Sequence, residues 1–204
     1  MLFRSQQLAN EDVTLLTTRP DRDRPLLTLA TGFVHESEEN TGLLYRASPR
    51  LKIYPTVAAF RNSTGEPGWV AASTRGRTIQ MQPSDVLREA GTLESTIRHE
   101  LLHMLIDSHA LPGTPLWFRE GLVLYLTAPN ASPKQSDDFA DLKGLEKSLR
   151  APANEEELRH AYVGAHARVA QLARQHGKAA LLDWVQNGLP AELASGGAQR
   201  SGGR

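Results

Sequence analysis

The chain has 204 residues with 40% apolar content, enough to bury one good core, so a single domain is the default and two lobes about a cleft stay possible. Lys+Arg and Asp+Glu each number 23, and the resulting net charge of +0 gives no pointer to nucleic acid or to an anionic membrane. Cysteine is absent, which excludes a disulfide framework and thiol catalysis.

Residues 1–11 carry no apolar run of signal-peptide length, and no window approaches a membrane span. The chain therefore reads as soluble and not membrane-inserted, either cytoplasmic or one domain of an exported bacterial protein. Residues 13–18 read as a short strand. Residues 25–38 read as an amphipathic helix with Leu26, Leu29, Ala30 and Phe33 facing inward, ended by Asn40-Thr41-Gly42. A second strand is expected over 51–54, closed by Pro55, and one or two helical turns over 56–62 before Thr64-Gly65. This predicts a β-α-β-α opening. Residues 69–73 and 78–81 suit a hairpin around Thr74-Arg75-Gly76-Arg77. Either strand could take up an extended peptide by strand addition, and equally Trp69 and Ile79 could simply fill the core.

The most informative stretch is 92–125. It contains His99-Glu100-Leu101-Leu102-His103, an HExxH motif. At 3.6 residues per turn, two histidines four apart share one helix face and can reach a single ion, with Glu100 beside them. Gly91-Thr92 supplies a stop and an N-cap, and Leu93, Ile97, Leu101 and Met104 form a buried stripe opposite Ser95, Thr96, His99, Glu100, His103 and Asp107, with Glu100 at the edge of that polar arc.

A catalytic zinc ion needs a third protein ligand, and two residues downstream offer one. His109 stands where metzincins place their third histidine, but those proteins turn the chain at a glycine, and Ile106 occupies that position here. Glu120 follows Thr114 and Pro115, which read as the cap and first residue of a second helix. If the first helix runs about five residues past His103 and the second returns about five to Glu120, each leg is roughly 8 Å and the carboxylate comes level with the imidazoles. Helix geometry thus favours Glu120, and a metzincin-like site using His109 remains the alternative. Asp107 is either a support for an imidazole or a solvated helix-end acid, and Trp117 and Phe118 read as core anchors.

Residues 128–138 have the composition of an exposed loop able to rim a cleft. Residues 155–177 and 179–186 read as two helices, with Leu158, Tyr162, Val169 and Leu172 in register, and 191–204 as a mobile Gly/Ser/Ala-rich tail. The expected fold is α+β: a small N-terminal mixed sheet with flanking helices over about 1–90, the zinc helix at the cleft, and a mainly helical part over about 91–190, together one domain.

RHELLH at 98–103, PLWFREGLVLYL at 115–126, IYPTVAAFRNSTGEPGWVAA at 53–72 and TIQMQP at 78–83 resemble the compact bacterial gluzincin domains called peptidase MA-like, especially those found with stage II sporulation protein D-like proteins. The similarity spans about residues 50–190. It implies a Zn2+-dependent peptidase acting on a peptide or protein substrate, with His99, His103 and Glu120 as metal ligands and Glu100 as the general base of a zinc-activated water. It also implies a tyrosine donor to the oxyanion, a role that Ala161-Tyr162-Val163-Gly164-Ala165 matches in pattern, with His166 as the other donor to weigh. The Gly-Ala-Met-Glu-Asn motif of the related aminopeptidases is absent, so exopeptidase activity is not implied. The alternative from a different class is a non-catalytic module that keeps zinc as a structural or peptide-binding element, against which an intact Glu100 argues.

Overall fold

The computed structural model describes residues 5–127 and 141–194. The chain divides into two compact units, Met1–Ser108 and His109–Arg204. Among the described residues no helix is long and apolar enough to cross a membrane.

The first unit is built on a five-stranded mixed sheet of order β1-β2-β3-β5-β4, with β1 Gln6–Ala9, β2 Thr14–Thr17, β3 Arg50–Ile53, β4 Ala72–Arg75 and β5 Thr78–Met81. β2, β3 and β5 are mutually parallel, and the outer strands β1 and β4 pair antiparallel. Parallel neighbours need long crossovers. Helix α1, Pro20–Thr41, supplies the one from β2 to β3, and α2, Val57–Thr64, lies in the one from β3 to β5. Each of β2, β3 and β5 alternates half-buried and buried residues, which puts Leu15, Leu51, Ile53, Ile79 and Met81 on one covered face.

Those side chains form a single cluster with Leu26, Ala30 and Phe33 of α1, Leu87 of α3 (Ser84–Glu89), and Leu93, Ile97, Leu101 and Met104 of α4 (Leu93–His109). The expected inward faces of both helices are therefore the observed ones. Because the stripe of α4 belongs to the core of the sheet, the division between units falls at Ser108 rather than near residue 90. A carboxylate seals one end of this core: fully buried Asp23 of α1 accepts hydrogen bonds from Thr17 of β2 and Ser84 of α3.

Several expectations are corrected. A strand, β1, precedes the predicted β-α-β-α opening; its sequence QQLA is short and polar because it lies at a sheet edge. Helix α1 starts at Pro20, with Pro25 inside it, so the earlier proline and not the later one marks the first turn. β4 begins at Ala72 and runs through Arg75, leaving Gly76 and Arg77 as the turn. β5 is paired on both sides, so of the two hairpin strands β4 alone lies at the edge.

The second unit is helical: α5 Leu116–Thr127, α6 Leu142–Arg150, α7 Glu155–Asn187 and α8 Ala191–Ala194. α7 contains the two predicted helices in succession, separated at Gly177, whose φ of 83° and ψ of 157° interrupt the helix. α6 was not expected, although Leu142, Leu145 and Leu149 recur at helical spacing and are all buried. The predicted tail from 191 is corrected in its first four residues, which form α8; residues 195–204, and the loop expected over 128–138, lie outside the described residues.

Candidate metal centre

Helix α4 is fixed to the rest of its unit at three points around the HExxH motif. Arg98 is ion-paired with Glu36 and lies over the Phe33 ring, 4.3 Å from its centroid, which ties α4 to α1. The Tyr45 hydroxyl donates to the Leu101 carbonyl at 2.8 Å, and burial pushes that phenol well above its usual pKa, so it stays a donor. Thr74 of β4 donates its hydroxyl to Glu100 Oε2 at 2.7 Å. Thr92 starts the helix through its carbonyl, which accepts from the Thr96 N–H at 2.9 Å.

The i, i+4 spacing does what helix geometry requires: the rings of His99 and His103 stand 4.6 Å apart, centroid to centroid, tilted by 69°. His103 is buried, and His99 and Glu100 are half-buried. Leu102, Leu105 and Ile106 are buried too, so burial over 101–106 is continuous where the sequence shows a single stripe.

In the second unit, α5 begins in a way its own sequence does not announce. The Thr114 hydroxyl, expected as the cap, donates instead to the Leu111 carbonyl at 2.8 Å, and the first helical carbonyl is that of Pro115, which accepts from Arg119. The free N–H groups of Leu116 and Trp117 are met by the Glu146 carboxylate of α6, at 3.1 and 3.0 Å. A carboxylate at a helix N-terminus is favoured both by those donors and by the macrodipole. Trp117 and Phe118 are fully buried anchors, as expected, and Phe118 lies against Trp184 of α7 with centroids 6.4 Å apart.

Gly121 sets how closely α5 lies on α7. A Cβ at that position would stand 2.3 Å from the Ala165 carbonyl oxygen and 2.6 Å from Val169 Cγ2. No side chain fits there. The residue before it is Glu120, so this close approach of the two helices is next to a predicted ligand.

One ligand atom from each of His99, His103 and Glu120 lies within 4.8 Å of the other two. Ligands of one tetrahedral ion with bonds of about 2.0–2.2 Å stand about 3.3–3.6 Å apart, so a modest contraction suffices, and two imidazoles with one carboxylate are the donor set of a catalytic zinc site. The residues fit the metal. His109, the last residue of α4, is not part of that group. Asp107 is exposed. Tyr162 is half-buried on α7, three residues before Ala165, and so belongs to the turn that precedes the contact with Gly121. His166 follows that contact by one residue, and burial lowers its pKa below the ordinary histidine value.

Thr74 is the residue that sequence reading passed over. The sequence pattern put it in the hairpin turn, whereas it lies on β4 two residues after Ala72 and so on the same strand face. No family model, curated protein or solved structure matches the chain.

Proposed function

We propose that the protein is a zinc-dependent metallopeptidase of the gluzincin type, hydrolysing peptide bonds in a peptide or protein substrate. The convergence of His99, His103 and Glu120 carries this reading, because it is the donor set of a catalytic centre with a carboxylate, Glu100, next to it in the chain. Zinc, when bound, supplies Lewis acidity and lowers the pKa of a water molecule. The imidazoles of His99 and His103 and the carboxylate of Glu120 hold the ion. Glu100 takes the proton from the attacking water on its carboxylate and delivers it to the leaving amine nitrogen. Among the described residues β4 has one unpaired side, which offers backbone N–H and C=O groups to an extended substrate. Tyr162 donates a hydrogen bond to the carbonyl oxygen as negative charge develops on it. The resemblance of RHELLH and PLWFREGLVLYL to peptidase MA-like domains supports the same assignment.

Elemental analysis together with cleavage of an unbiased peptide library tests it. One zinc per chain is expected, lost in Glu120→Ala, while Glu100→Gln keeps the metal and loses turnover by about three or more orders of magnitude. A full zinc equivalent retained in Glu120→Ala refutes the ligand set. Bound zinc without chelator-sensitive cleavage favours a non-catalytic module instead.

A further inference from the structure

One row of directly opposed residues crosses the whole sheet: Leu8, Leu15, Leu51, Ile79 and Thr74. Opposed residues point to the same face. Leu15, Leu51 and Ile79 are completely buried in the cluster that includes α4. The row is aliphatic on four strands, and on the fifth, the edge strand β4, a valine or isoleucine would continue it. Threonine stands there instead, with the shape of valine and one hydroxyl, and that hydroxyl donates to Oε2 of Glu100 at 2.7 Å. The strand register orients Thr74 irrespective of the hydroxyl, since Ala72 on the same strand face is buried.

We propose that Thr74 is the positioning residue for Glu100. This inference rests on the peptidase reading and deepens it. A carboxylate adjacent in sequence to a metal-ligating histidine is itself a competent zinc ligand, and once it binds the ion it no longer serves as a base. A donor fixed to the rigid sheet sets the plane of that carboxylate and holds it in the base position. Charge-assisted hydrogen bonds of this kind correspond to roughly 10- to 100-fold in rate when lost.

The test compares Thr74→Val, Thr74→Ser, Glu100→Gln and the double variant Thr74→Val/Glu100→Gln in the full chain. Peptide cleavage and melting temperature are measured on the zinc form, and the visible spectrum on the cobalt(II)-substituted form. Thr74→Val is expected to lower kcat about 10- to 100-fold at unchanged KM, with zinc content kept and the melting temperature not lowered. Thr74→Ser restores the rate. The cobalt spectrum changes in Thr74→Val but not when the same substitution is added to Glu100→Gln, where no carboxylate remains to move. Wild-type cleavage with Thr74→Val within about twofold of it in kcat overturns the role of Thr74 and leaves the peptidase intact. A Thr74→Val chain that melts earlier and is not rescued by serine has a packing defect, which also overturns it. Absence of chelator-sensitive cleavage in the wild type overturns the peptidase reading and this inference with it.

Discussion

Tyr162 and His166 flank Ala165, the residue of α7 whose carbonyl meets Gly121, so each is within one turn of the helix segment that passes Glu120. They differ as donors. A phenol donates over the whole working range, whereas His166, with its pKa lowered by burial, is the neutral imidazole near neutrality. Tyr162→Phe is therefore expected to lower turnover by about 10² to 10³, the usual effect of removing an oxyanion donor, with zinc content and melting temperature unchanged. Steady-state kinetics beside elemental analysis decides it, and a phenylalanine variant with full activity removes Tyr162 from the mechanism. The shared face of His99 and His103 was legible because i, i+4 spacing is a property of the helix alone, and the approach of Glu120 to them because two helix lengths sufficed to place it. Thr74 was not legible: its contact joins residues 26 apart through a strand register that no local pattern reveals.

Among the elements, the pair α5 and α7 is the most constrained by a single residue. Gly121→Ala puts a methyl group against a backbone carbonyl, which cannot swing aside as a side chain can. Overpacking of this sort costs about 1–3 kcal/mol, equivalent to roughly 2–12 °C in melting temperature at this chain length. Because Glu120 precedes it, zinc affinity measured by competition with a chelator is expected to fall as well. Gly32→Ala is the control. It lies exposed on α1 with nothing near its Cβ, so the same change there raises the melting temperature by relieving about 1 kcal/mol of glycine penalty. Long elements with a regular stripe, such as α4 and both parts of α7, were readable in advance. The short ones were not: β1 and α3 each bury too few residues to leave a period, and the start of α5 depends on Glu146, 26 residues further along the chain than Glu120. Thr114 and Pro115 gave the right place for that helix by the wrong mechanism.

At the scale of the molecule, α7 gives the second unit a response to acid. Of the three groups on α7 whose shift has a known direction, Glu157, His166 and Arg168, the two that titrate on the acid side of neutrality act the same way. His166 has a folded pKa below its unfolded one, so the unfolded chain takes up its proton first and stability is lost as pH falls through about 6.5 and below. Glu157 is held below its usual value, chiefly by the Ser148 hydroxyl, which donates to it at 2.7 Å, and also by the Ala153 N–H. Its contribution is present above the ordinary glutamate range and disappears as pH falls through the folded value. Metal-free protein should therefore melt progressively earlier between pH 8 and pH 5, and His166→Gln should flatten that decline; differential scanning calorimetry of the two chains at matched pH checks it. The position of α4 in the first unit has a consequence for synthesis. The sheet is complete at Met81, yet part of its covering stripe ends only at Met104. At about 5–20 residues per second, roughly 1–5 s pass between the two on the ribosome. For that interval the part of the aliphatic face that α4 covers is bare, which is expected to make the nascent sheet a substrate for holding chaperones before α4 is made.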